Sequence, residues 1–138
     1  MSERAETGRC ICGDVHFRFD RGAVLSCNHC HCRDCQRATG SAFATFCVVP
    51  ESAFEIESGQ PKSFTVKSDS GGRVTRSFCG NCGSELYSTV TAMPGFVFAK
   101  AGSLDDATWL VPRADIWVSS AQPWCPPLTS VTHEGNPG

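Results

Sequence analysis

The sequence is poor in the features that mark several large classes of protein. It has one tyrosine, two methionines and four histidines in 138 residues, and its apolar runs are short and interrupted. A membrane-spanning helix needs about 20 consecutive apolar residues, so none is expected. Neither sign of charge dominates: 12 Lys and Arg against 14 Asp and Glu give a formal net charge of −2. Without a basic patch or stripe there is no footprint for nucleic acid. The opening residues, MSERAET, are polar and lack the apolar centre of a signal peptide. The expected location is the cytoplasm. No internal repeat or linker-like stretch divides the chain, whose length suits one compact domain over residues 1–138.

What the chain has in abundance is cysteine. Ten cysteines accompany 13 glycines, eight prolines and nine phenylalanines, a composition that favours turn-rich β structure over a helical bundle. Ten cysteines in a secreted chain would suggest a disulfide framework. Here they fall largely at C-x-C and C-x-x-C spacing, and a bridge across so few residues closes a small, strained ring. Thiolates at that spacing can instead converge on one soft tetrahedral ion, with Zn–S bonds of about 2.3 Å. Metal ligation is the better reading.

The densest stretch is Cys27-Asn28-His29-Cys30-His31-Cys32-Arg33-Asp34-Cys35. Cys30, Cys32 and Cys35 are the candidate ligands of one zinc. Three thiolates leave one tetrahedral position unassigned, the feature that separates a catalytic zinc from a structural one. Cys27, His29 or His31 could supply the fourth ligand, which would close the site and remove its chemistry. A second set pairs Cys10 and Cys12 with the distant Cys79 and Cys82, each pair followed by a glycine (Gly13, Gly83). Two such half-sites predict a closed four-cysteine zinc that clamps the first strand to a distant hairpin. Two zinc ions per chain are therefore expected, held by seven cysteines.

Period-two alternation predicts a strand over Val15, Phe17 and Phe19, and a half-exposed one over Phe54 and Ile56. The nearly continuous apolar run 42–49 reads as a buried strand closed by Pro50, with Cys47 a core residue. Residues 33–39 form the best helix candidate, stopped at Gly40. Further strands are expected near Phe64 and Val66, at 74–78, at Leu86 and Tyr87, at 96–99 and at 115–118. Residues 68–72 read as a hairpin loop. From Cys125 onward the pattern fades, so a loosely ordered tail is expected beyond a core of about residues 8–124. His16 and His133 are lone histidines, and Trp109, Trp117 and Trp124 are core residues by default. Arg33, Arg37, Arg73 and Arg76 are solvated charges unless they gather near the open zinc, where guanidinium would suit an anionic substrate.

These residues also carry a resemblance. Gly8-Arg9-Cys10-Ile11-Cys12-Gly13, the stretch Cys30-His31-Cys32-Arg33-Asp34-Cys35-Gln36-Arg37-Ala38-Thr39-Gly40-Ser41-Ala42-Phe43, and Arg76-Ser77-Phe78-Cys79-Gly80-Asn81-Cys82-Gly83-Ser84 are its core. With Ala101-Gly102-Ser103-Leu104-Asp105-Asp106 and Ile116-Trp117-Val118-Ser119-Ser120, the chain resembles the glutathione-dependent formaldehyde-activating enzyme (Gfa-like) and centromere protein V family. The resemblance implies a mainly β, Mss4-like, zinc-containing antiparallel fold with one short helix. It assigns Cys10, Cys12, Cys79 and Cys82 to a structural zinc and Cys30, Cys32 and Cys35 to a catalytic one. The implied activity is that of a carbon–sulfur lyase or synthase acting on a small thiol such as glutathione, or on its formaldehyde adduct. Arg37 is a candidate for holding a substrate carboxylate, and Phe43 for walling the pocket. The alternatives are a zinc-stabilised binding module without catalysis and a thiol-buffering or metal-handling protein.

Overall fold

The structure, a computed structural model, describes residues 5–68 and 71–137. Asp69 and Ser70, in the expected hairpin loop, lie outside the described residues. In chain order the elements are β1 (Ala5–Arg9), β2 (His16–Asp20), β3 (Ser26–Cys30), α1 (Arg33–Thr39), β4 (Ala44–Pro50) and β5 (Phe54–Ser58). They continue with β6 (Lys62–Lys67), β7 (Arg73–Phe78), β8 (Glu85–Val90), β9 (Phe96–Lys100) and β10 (Ala114–Ile116). β1, β2 and β5 make a three-stranded antiparallel sheet with β2 in the middle. The other seven strands make a sheet in the order β10-β3-β4-β9-β8-β7-β6. The expected mainly β fold with one short helix is what forms, with one departure: β10 runs parallel to β3. Among the described residues no helix is long and apolar enough to cross a membrane.

β4 lies at the heart of the packing. Cys47 and Val49 point toward the smaller sheet and share a core with Phe17 and Phe19 of β2, Leu86 of β8, and Val97 and Ala99 of β9. Ala44, Phe46 and Val48 point the other way, against Cys35 of α1, Cys30 and Ile116. Burial on both faces is why this strand reads as a continuous apolar run, while the half-buried β2 alternates. Three layers result: the small sheet, the large sheet, and α1 with its flanking loops.

β1 carries no apolar signal, and the structure shows why. Its inward positions are Glu6 and Gly8. Glu6 is neutralised by Arg21, whose Nε donates to it at 2.7 Å, and whose guanidinium lies 4.8 Å from the Trp109 ring centre. At Gly8 the ring of Phe17 fills the side-chain position: a Cβ there would lie 2.3 Å from Phe17 Cζ and 2.7 Å from the Ser103 carbonyl oxygen.

The expected loose tail is corrected. Asp115 N–H donates to Val131 O and His133 N–H to Asp115 O, both at 2.9 Å, bridging the tail in parallel to β10. The fully buried Asp115 carboxylate does the anchoring. Its Oδ2 accepts from the Leu128 and Thr129 amides at 3.1 and 2.8 Å and from the Thr129 hydroxyl at 2.6 Å. Burial works against that charge, but these bonds and His31 hold the carboxyl below its ordinary pKa. A tail fixed by one carboxylate needs no hydrophobic period, so none was there to read. β10 also stops at Ile116, short of the expected 118, because Trp117 turns the chain in a left-handed conformation (φ 57°).

The close approach at Gly8 generates a prediction. Gly8→Ala is expected to cost about 1–3 kcal/mol, because neither the Phe17 ring nor the Ser103 backbone can retreat cheaply. Gly102→Ala, whose Cβ would meet nothing within 4 Å, should stay within about 0.5 kcal/mol of the parent. Urea unfolding of both variants measures the difference, and equal midpoints would refute the packing assigned to β1.

Candidate metal centres

The first cysteine group is assembled from both ends of the fold. Cys10 and Cys12 follow β1, and Cys79 and Cys82 occupy the turn between β7 and β8. Their four sulfurs lie within 4.8 Å of one another. Cys10 and Cys12 Sγ are 3.6 Å apart and Cys12 and Cys79 Sγ 3.7 Å. A disulfide would need about 2.05 Å, whereas a tetrahedron of radius about 2.3 Å has edges of about 3.8 Å. The spacing is that of metal ligands. Gly13 and Gly83 take positive φ (84° and 80°), which lets each pair fold back on itself. Amide donors point at the sulfurs, Val15 N to Cys10 at 3.3 Å and Asn81 N to Cys79 at 3.4 Å. The Ser84 hydroxyl and nearby amides push the Cys82 thiol down to about 5. Ser84 Oγ also accepts from Ile11 N–H at 3.0 Å, joining the two half-sites.

The second group lies on the other face of the large sheet. β3 delivers Cys30 at its end, Cys32 caps α1, and Cys35 sits in the first turn. Cys35 N–H donates to Cys32 Sγ at 3.2 Å. The three sulfurs also lie within 4.8 Å of one another. Hydrogen bonds from Cys30 and Cys32 draw the Cys35 thiol well below its ordinary pKa against the opposing effect of burial, with Lys100 and Arg76 assisting. Cys30, facing Cys32 and Cys35, is pushed far up. Three sulfurs this close, two of them buried, cannot all ionise alone, because like charges in low dielectric repel. A divalent cation removes the conflict, and an all-thiolate donor set suits a soft ion.

Strand parity sets Cys27 and His29 apart from the three sulfurs. Cys27 and His29 are on the face of β3 opposite Cys30. Cys27 lies in the core between the sheets, where burial pushes its thiol up to about 11. His29 Nδ1 is paired with Thr45 Oγ1 at 2.7 Å. His31 is fully buried with Nε2 on Asp115 Oδ1 at 2.6 Å. Among the described residues no other His, Cys, Asp or Glu joins Cys30, Cys32 and Cys35.

What does join them is a cationic wall from three neighbouring strands. Arg76 of β7 points Nη2 at Cys35 Sγ (3.6 Å) and Nη1 at Glu85 Oε1 (3.3 Å). Lys100 of β9 pairs with the same oxygen at 3.2 Å, and all three side chains are at most 12% exposed. Two cations to one carboxylate leave one positive charge beside the thiolates. Of the four arginines that could gather near this centre, Arg76 is the one seen against a sulfur, while Lys100 and Glu85 carry no sequence signal, because adjacency across strands is not encoded in local spacing. The two candidate substrate contacts are not part of this wall. Arg37 is 69% exposed on α1, with Asp34 as its partner at 4.0 Å. Phe43 packs its ring on His29 and His31, at centroid distances of 4.9 and 5.4 Å.

Comparison with known proteins agrees with this picture. The family model of the glutathione-dependent formaldehyde-activating enzyme matches residues 5–120. A crystal structure of a Rhodobacter sphaeroides protein is similar in fold, with a TM-score of 0.61 and 18% identity over 77% of this chain and 97% of that one. At that identity the likeness speaks for the fold.

The two groups differ in what they hold together, and substitutions should separate them. Cys79→Ser removes a ligand that ties β1 to the β7–β8 turn, and is expected to abolish cooperative folding by circular dichroism. Cys32→Ser is expected to leave a folded protein with one metal ion fewer by elemental analysis. A Cys79→Ser protein as stable as the parent would refute the clamp.

Proposed function

This chain belongs to the glutathione-dependent formaldehyde-activating enzyme family, and we propose that it is a zinc-dependent carbon–sulfur lyase or synthase acting on a small thiol or its formaldehyde adduct. The observation that carries this reading is the three-sulfur group of Cys30, Cys32 and Cys35, with no fourth protein ligand among the described residues. Structural zinc closes its shell with four protein ligands, while catalytic zinc keeps one position for water or substrate. Cys10, Cys12, Cys79 and Cys82 would hold the structural ion and Cys30, Cys32 and Cys35 the catalytic one.

In the synthetic direction the substrate sulfur bonds to the carbonyl carbon of formaldehyde, and the thiol proton ends on the former carbonyl oxygen. The reverse reaction breaks the same bond, and neither direction needs an oxidant or reductant. A bound zinc would supply Lewis acidity, lowering the thiol pKa or polarising the carbonyl. Arg76, donating Nη2–H to Cys35 Sγ, assists Cys30 and Cys32 in keeping that sulfur ionised, and Glu85 pairs with both Arg76 and Lys100 beside it. Arg37, exposed on α1 with Asp34 4.0 Å away, would take a substrate carboxylate in a bidentate pair. Phe43 would wall the pocket. Glutathione, a thiol with carboxylates, is the proposed substrate, and reduced thiol ligands fit a cytoplasmic setting.

Exchange of formaldehyde between thiols, followed by NMR, tests the reaction. The protein should carry two zinc ions per chain and accelerate the exchange above the spontaneous background, with the acceleration lost in Cys32→Ser. If both ions are present and no thiol in a panel including glutathione is accelerated, the lyase reading fails and a zinc-stabilised binding module remains.

A further inference from the structure

Trp117 is the only non-glycine residue with positive φ among the described residues. A bulky side chain in the left-handed region is strained and persists only where its surroundings over-determine it. Here the C-terminal strap does so. Trp117 N–H donates to Gly135 O at 3.0 Å, and its indole Nε1–H to Asn136 Oδ1 at 2.8 Å. The next two residues are tied to the same strap, Val118 N–H to His133 O at 3.1 Å and Ser119 Oγ–H to Glu134 O at 2.7 Å. The other end of the strap is fixed on the Asp115 carboxylate through Leu128 and Thr129.

This braced segment also holds the three-cysteine loop. His31 N–H donates to Ile116 O at 3.0 Å. The Gln36 amide donates to His31 O at 2.7 Å and to Ser120 O at 3.0 Å. The Trp117 ring, half-buried, packs on the cluster that contains Cys30 and Cys35, alongside Cys32. A strained, part-exposed indole is thus packed on the cluster that contains Cys30 and Cys35 and is held there by hydrogen bonds from the strap, whose Gly135 lies against the ring.

We propose that Trp117 is a specificity-determining residue of the Cys30, Cys32 and Cys35 centre, its indole forming the wall on which an incoming thiol lies when its sulfur reaches that centre. The ligand class this wall favours is a thiol bearing a flat amide or apolar group near the sulfur, since such groups stack on an indole face. The inference rests on the reading that this centre accepts an outside thiol. It does not depend on the carbon–sulfur chemistry.

The full-length protein loaded with cobalt(II) in place of zinc gives the readout, because thiol binding at the second centre alters the visible absorption. N-acetylcysteamine, which has a flat amide, and 2-mercaptoethanol, which has none, are the two probes. Trp117→Ala is expected to weaken N-acetylcysteamine about tenfold while changing 2-mercaptoethanol by less than about threefold. Trp117→Phe should restore most of the loss, and Asn136→Ala, which frees the indole N–H, should give an intermediate value. Equal losses for both probes, no loss for either, or a Trp117→Ala protein that no longer retains cobalt at the second centre would each overturn the proposal. A protein that shows the Trp117 dependence but transfers no formaldehyde keeps this inference and loses the proposed reaction. One whose spectrum no thiol alters loses the open centre on which both depend.

Discussion

Thiolates brought together repel one another, and the fold is arranged around two places where that repulsion must be cancelled. At the first, the sulfurs of Cys10, Cys12, Cys79 and Cys82 come from the end of β1 in the small sheet and from the β7–β8 turn of the large one. A divalent ion there would tie the two sheets at a corner where β1 offers no apolar packing of its own. Structural zinc sites of this type contribute about 10–16 kcal/mol of apparent binding energy, comparable with a small domain's whole net stability. The interior between the sheets can then be modest, built from Phe17, Phe19, Val49, Leu86 and Val97.

The second place lies on the opposite face of the large sheet, where function is proposed. The period-two geometry of β3 sends Cys27 into the core and Cys30 to the other side. The same face of β7 and β9 sends Arg76 and Lys100 to meet Cys35, so the charges around the centre follow from strand parity. One cation beyond what Glu85 neutralises stands beside the sulfurs, which favours their ionised, metal-binding form.

Much of this was legible beforehand. The cysteine spacing marked both convergent cysteine groups, α1 was bounded by its motif and Gly40, and the alternation of Phe17 and Phe19 against the continuous run of β4 distinguished a half-buried strand from a fully buried one. What escaped had physical reasons for doing so. β1 is held by a part-buried ion pair and a glycine beneath a phenylalanine ring, neither of which produces a hydrophobic pattern. The parallel β10–β3 pairing and the ordered tail depend on Asp115, a single polar residue whose partners lie at His31 and Thr129. The Arg76–Glu85–Lys100 network joins residues that meet only after β7, β8 and β9 are laid side by side. Long-range polar contacts leave no local trace.

The central claim is that one ion is bound by four cysteines and the other by three, with its remaining position open to an outside thiol. X-ray absorption at the zinc edge counts sulfur neighbours directly. The prediction is seven protein sulfurs shared between two zinc ions, with a lighter oxygen or nitrogen neighbour completing the second shell and replaced by sulfur when a small thiol is added. Four sulfurs on every zinc before any thiol is added, or no change on adding one, would contradict it.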